Sequence, residues 1–123
     1  MPYADSDFFL ALLKPEDWLK VPAKNLLKQY KGRIWTSQLA VIEIFMIAKR
    51  LDLDVENIAS AIFELSDVRG ISKDVVLGAA HLIKKEGVSV FDAFHSMTCG
   101  EDSIISSDSV FDKIGIKRIP LER

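Results

Sequence analysis

Apolar positions along the chain follow two rhythms in turn. Long segments repeat every three to four residues, as an amphipathic helix requires, and short runs with strand character lie between them. "DSDFFLALLK" reads as a helix that Asp5 or Ser6 can cap and Pro15 stops. "PAKNLLKQYKG" reads as a second, with Pro22 near its first turn and Gly32 after its end. "SQLAVIEIFMIAKR" follows with Ser37 as its cap, and "DVENIASAIFELSD" places Val55, Ile58, Ala59, Ile62 and Phe63 at helical spacing. "SKDVVLGAAHLIKKEG", between Ser72 and Gly87, and "SVFDAFHSMTCG", closed by Gly100, are two more helices, and "DSVFDKIG" adds one or two turns. Strand character falls in "PYAD", "RIWTS", "VRGIS", "SIIS" and "KRIPL", the last at an edge because of Pro120. "PYAD" is poor in β-branched residues and "VRGIS" is broken by Gly70.

Strands alternating with helices predict an α/β fold, a three-layer α/β/α sandwich with a mainly parallel sheet. No repeat, linker or low-complexity tract interrupts the pattern, so residues 1–123 are expected to form a single domain. Ligands of such sheets sit beyond the carboxyl ends of the strands. That rule places Asp5, after the first strand, and Asp108, one serine after "SIIS", at the functional edge.

Composition narrows the function classes. The chain is 49% hydrophobic and 28% charged with a formal net charge of −2, which reads as an ordered globular protein without a global basic field for nucleic acid. The apolar run from Leu39 to Ala48 is too short to cross a bilayer, and the acidic "MPYADSD" does not resemble a signal segment. One cysteine, Cys99, excludes an internal disulfide framework and suits a reducing compartment. A cytoplasmic protein with no membrane partner is expected.

Within Leu39–Ala48 every residue is apolar except Glu43. A carboxylate buried there without a partner would cost several kcal/mol or take up a proton. Glu43 can turn toward water, pair with a Lys or Arg, or face a bound cation, and its company elsewhere in the chain bears on the choice. An aspartate ends strand one in "ADSDFFLALL", a serine precedes a glutamate by six residues in "SQLAVIEI", an aspartate opens a helix in "FDAFHSM", and a strand runs into Ser-x-Asp in "IISSDSVFDKIGIKRI". In this order and at these separations the four motifs resemble the PIN domain, the fold of many small metal-dependent ribonucleases, including VapC-like toxins of toxin–antitoxin pairs.

The resemblance implies that Asp5, Glu43, Asp92 and Asp108 are the catalytic acids and hold one or two Mg²⁺ or Mn²⁺ ions. It also implies an RNA substrate, an antitoxin partner and a homodimer, for which Ile58, Ile62, Leu77 and Ile83 are candidate contact residues. The residues themselves suit that chemistry, because crowded carboxylates repel at neutral pH until a divalent cation offsets the repulsion. All-oxygen ligation fits Mg²⁺ or Mn²⁺ better than zinc. Asp7 adds a negative charge beside Asp5 where many relatives carry Asn or Thr. Asp112, one helical turn beyond Asp108, is either a fifth acid or a surface residue.

Ser37 and Ser106 fit two roles, capping and ligand orientation. His95, one turn from Asp92, reads as a neutral structural histidine, and His81 as structural too. His95 and Cys99 share the i, i+4 spacing of a thiol hydrolase pair but have no third partner. Lys24, Lys28 and Lys31 share a helix face that is either simply solvated or a phosphate-guiding surface bordering the acids. Of the two tryptophans, Trp35 is expected in the core. The leading function is a metal-dependent endoribonuclease cleaving single-stranded RNA. The alternative is a non-catalytic PIN-fold interaction module, and a response-regulator-like receiver fits the motif order less well.

Overall fold

Every strand in the protein is only two or three residues long, so the sheet depends on what packs against it as much as on its own ladders. The computed structural model describes residues 1–123. In chain order the elements are β1 (Tyr3–Ala4), α1 (Ser6–Leu13), α2 (Lys20–Gln29), β2 (Trp35–Ser37), α3 (Gln38–Arg50) and α4 (Val55–Leu65). There follow β3 (Asp67–Arg69), α5 (Lys73–Glu86), α6 (Val90–Cys99), β4 (Ile104–Ser106), α7 (Val110–Lys113) and β5 (Arg118–Pro120). All strands pair in parallel in the order β3-β2-β1-β4-β5, so their carboxyl ends share one edge.

Side chains alternate across this sheet. Ala4 and Ile105 point into the larger core, where Phe8, Phe9, Ile44, Ile58 and Ile62 cover them from α1, α3 and α4. Tyr3, Trp35 and Ile104 point the other way, onto Cys99 of α6 and Phe111 of α7. Helix α5 packs on α6 and completes the third layer. The α/β/α sandwich read from the alternation of elements is the observed architecture.

Local signals account for most boundaries. Asp5, Ser37 and Ser72 cap α1, α3 and α5 through their side chains, as does Asp54 for α4. Helix α2 begins at Lys20, two residues before Pro22; Pro22 lies in the first turn, where its missing N–H leaves no bond unmade. Strand β3 covers Asp67–Arg69 instead of "VRGIS", because beyond Arg69 the chain is already turning toward the Ser72 cap of α5. Trp35 is in the core at 6% exposure, whereas Trp18 is 67% exposed. No helix is long and apolar enough to cross a membrane.

Of the two readings of the lysine face the solvated one stands, and one surface expectation needs correction. Lys28 and Lys31 line a cavity of about 540 Å³ with Met1, Ile34 and Asp67, which sit at the amino ends of β1, β2 and β3. They therefore lie at the opposite edge from Asp5 and do not border the acids. Ile58 and Ile62 are core residues and offer no contact surface, while Phe63, one residue on, is 63% exposed and Leu77 is 58% exposed. The buried stripe of α4 is narrower than its apolar composition suggests. Ile62→Ala should accordingly lose about 2–5 kcal/mol in urea unfolding. Phe63→Ser, measured on dilute protein, should change stability by about 0.5 kcal/mol or less.

Candidate metal centre

The in-register ladder determines what meets at the carboxyl edge. Tyr3 is level with Trp35 on one side and Ile104 on the other. Two residues further on, the strand ends bring Ser37, Asp5 and Ser106 together. All three are buried, as are Ser6 and His95, so five of the seven buried polar residues cluster here. Ser106 Oγ donates to Asp5 Oδ2 at 2.7 Å, and the Ser6 backbone N–H donates to Asp5 Oδ1 at 2.7 Å. The same Ser106 hydroxyl accepts from the Asp108 N–H at 3.0 Å and so ties the two acid-bearing turns together.

Glu43 reaches this edge from α3. Its partner is neither a Lys nor an Arg but His95 of α6, whose Nε2 lies 2.8 Å from Glu43 Oε1 and 3.3 Å from Asp5 Oδ1. Asp5, Glu43 and His95 each place one ligand-type atom within 4.8 Å of the other two. Asp92, in the first turn of α6, stands outside this tight trio, yet its ionisation responds to the charges of Asp108 and Asp5. Four acids predicted to converge thus arrive in two ranks: Asp5 and Glu43 in contact with His95, Asp92 and Asp108 around them.

Burial and mutual repulsion both act on the cluster. Burial raises the Asp5 pKa above the ordinary carboxylate range against the pull of His95 and Ser106, and the Glu43 charge adds to the rise. Asp7 is pushed up to about 7 by burial and then by the Asp5 charge. Its Oδ2 accepts hydrogen bonds from the Ser107 N–H and hydroxyl, whereas its Oδ1 is buried without any partner. Asp92 is raised by burial, then by Asp108 and Asp5. Burial also acts to raise Glu43, but hydrogen bonds with His95 and Ser6 and the His95 charge outweigh it and hold Glu43 below its usual value. Burial acts to lower His95, yet the hydrogen bond to Glu43 and the charges of Asp5, Glu43 and Asp92 bring it above its usual value.

Such a donor set fits a divalent cation. Carboxylates with raised pKa values lack positive charge, and one buried oxygen of Asp7 has no hydrogen-bond donor. An oxygen-rich cluster with a single imidazole is a donor set for a divalent cation.

Other candidates fall outside the cluster. Asp112 is a surface residue held by Arg118 at 2.9 Å, and that guanidinium lowers its pKa. His81 is exposed on α5. Cys99 is buried and donates to the Ser96 carbonyl, and burial followed by the Asp102 charge raises its thiol to about 11, which is unsuited to a nucleophile. His95 is more than a bystander, and Tyr3, whose hydroxyl lies 2.7 Å from His95 Nδ1, was not anticipated. The available signals were the one-turn spacing from Asp92 to His95 and the two-residue spacing from Tyr3 to Asp5, which puts both on one side of a strand.

A profile of the PIN domain family matches residues 3–117. Among solved structures, the VapC20 toxin of Mycobacterium tuberculosis, described as cleaving the sarcin–ricin loop, superposes with a TM-score of 0.83 at 18% identity, covering 98% of this chain and 99% of its own. A toxin–antitoxin complex from Klebsiella pneumoniae gives 0.79 at 16% identity, covering 100% and 99%. FitAcB from Neisseria gonorrhoeae gives 0.76 at 15% identity, with 98% of each chain covered. At these identities the structures share the fold. No curated protein matches the chain.

The shifts have a signed consequence for stability. Asp5, Asp7 and Asp92 hold protons more tightly in the folded protein than in the unfolded one, so their protonation stabilises the metal-free fold at low pH. That stability is lost as pH rises from the ordinary carboxylate range, about 4, to about 7 for Asp7. His95 acts in the same sense, since its protonated form is favoured in the fold. Glu43 acts oppositely, and its contribution is lost on acidification. Thermal unfolding in EDTA should therefore show Tm falling between about pH 5 and about pH 8. Saturating Mg²⁺ should raise Tm more at the upper end of that range.

Proposed function

Because this chain belongs to the PIN domain family and gathers its acids at one edge of a parallel sheet, we propose that it is a Mg²⁺- or Mn²⁺-dependent endoribonuclease cleaving single-stranded RNA. The observation that carries this reading is the buried contact of Asp5 and Glu43 through His95, with Asp92 and Asp108 close enough to be felt electrostatically. Asp5, Glu43, Asp92 and Asp108 would hold the cation. Asp7, with its unpartnered oxygen, is placed to join them. When bound, the ion supplies a more acidic water and stabilises charge on a phosphoryl oxygen. Ser106 holds Asp5 and the Asp108 turn in a fixed relation, and Ser37 fixes the start of the helix that carries Glu43.

The reading extends to partners and compartment. Structural likeness to a Klebsiella toxin–antitoxin complex supports an antitoxin as protein partner, with this chain as the toxin. The exposed Met46, Phe63, Val76 and Leu77 support self-association as a homodimer, and the cytoplasm is the compartment that offers RNA and free Mg²⁺ together. Sedimentation should give a dimer mass, and a monomer throughout the micromolar range would remove that element.

Purified protein incubated with single-stranded RNAs in EDTA, Mg²⁺ and Mn²⁺ tests the central assignment. Cleavage is expected only with metal. Asp5→Asn and Asp108→Asn should each reduce it more than about a hundredfold, beyond what loss of an outer-shell partner costs. Asn is itself a good helix cap, so Asp5→Asn should keep α1 and the fold. Binding of RNA without cleavage under every metal condition would favour the non-catalytic module instead. Glu43→Gln keeps size and hydrogen bonding but removes charge; calorimetric titration should show weaker Mn²⁺ binding, and equal affinities would mean that Glu43 is not a ligand.

A further inference from the structure

A chain of short polar contacts runs through the protein interior behind the acids. Ser37 Oγ accepts the Ala40 N–H at 3.2 Å and lies 2.8 Å from the Tyr3 hydroxyl. That hydroxyl lies 2.7 Å from His95 Nδ1, and His95 Nε2 lies 2.8 Å from Glu43 Oε1. Tyr3, Ser37 and His95 are each at most 1% exposed, so water has little access to complete or redirect the chain. The Tyr3 ring is pinned edge-on against Trp35 at 4.8 Å, which fixes where its hydroxyl points.

Counting hydrogens gives the chain a direction. If Ser37 donates to Tyr3 and Tyr3 donates to His95 Nδ1, then Nε2 carries the ring proton and donates to Glu43; every hydrogen has an acceptor. If the ring is an imidazolium, Nδ1–H points to Tyr3, the Tyr3 hydrogen passes to Ser37 and leaves the Ser37 hydrogen without an acceptor, but Nε2–H still points to the carboxylates. A histidine that ligates metal through Nε2 needs the third form, with its proton on Nδ1. In that form a bare Nε2 lone pair faces two carboxylates in the metal-free protein. The Tyr3 hydrogen is then sent to Ser37 Oγ, and the Ser37 hydrogen has no acceptor, as in the imidazolium.

We propose that Tyr3 is a positioning residue that fixes His95 as an Nε2–H donor to Glu43, with Asp5 3.3 Å from the same nitrogen, so that His95 braces the two carboxylates and is not itself a metal ligand. The consequence for metal binding rests on the metal-site reading above; the direction of the relay does not. Outer-shell partners of this kind typically change metal affinity by about 10–100-fold when removed. Tyr3 thereby couples the first strand, the α3 cap and α6 to the orientation of the acids.

Long-range ¹H–¹⁵N correlation of the His95 ring decides the matter, recorded without metal and with Mg²⁺. The expected result is an Nε2 that stays protonated in both samples, with the neutral ring in the Nε2–H form. Tyr3→Phe should mix the two tautomers and weaken Mg²⁺ binding about tenfold. His95→Gln, whose amide can still donate, should keep more Mg²⁺ affinity than His95→Leu. An Nδ1–H ring in Mg²⁺-bound wild type would overturn the proposal, as would a Tyr3→Phe spectrum identical to wild type. Wild type that binds neither Mg²⁺ nor Mn²⁺ would instead sink the metal-site reading, and the metal-free spectra of wild type and Tyr3→Phe would still decide the relay.

Discussion

A carboxylate at the end of the central strand, only 7% exposed, constrains everything around it. Asp5 is there because β1 lies between β2 and β4 and all three run in one direction. Removed from water, its charge must be satisfied by protein: the end of β4 and the first turn of α1 supply the donors Ser106 and the Ser6 N–H, and α6 brings His95 within 3.3 Å. Two of these groups serve a second purpose. Ser106 anchors the Asp108 turn, and His95 reaches Glu43. A single burial decision in the sheet thus draws α1, α3, α6 and the β4 turn into one polar cluster.

That cluster is locally unfavourable, and the rest of the molecule offsets it. Like charges raise the pKa values of Asp5, Asp7 and Asp92 after burial has already done so. Stability comes from the apolar layers below the edge, where Phe8, Phe9, Ile44 and Ile62 are fully buried on one side of the sheet and Phe111 on the other. A fold consistent at every level except one edge is the expected form of a protein that keeps strain where it works. The helices with good caps and the sheet with buried faces make the exception affordable.

Much of this was legible in the sequence because each signal had a local cause. Apolar periodicity with caps at Asp5, Ser37 and Ser72 located three helices, and even the weak strand "PYAD" was placed correctly, since its neighbours, not its own propensity, hold it. What stayed hidden depends on tertiary direction. Phe63 belongs to the apolar pattern of α4 by spacing but faces solvent, and Lys28 and Lys31 are close to the acids in sequence terms yet sit at the other end of the sheet. His95 illustrates the limit best. One histidine beside one aspartate is unremarkable on a helix, and only the packing of α6 against α3 brings it onto Glu43.

The proposed function requires the carboxyl edge to hold a divalent cation through Asp5 and its neighbouring acids. Anomalous diffraction from crystals grown with Mn²⁺ tests it without reference to any substrate. A manganese peak is expected in direct contact with Asp5 and with oxygens from Glu43, Asp92 or Asp108, and with His95 Nε2 outside the coordination sphere. Manganese bound elsewhere with the acid cluster empty, or crystals at millimolar Mn²⁺ with no peak at this edge, would contradict it.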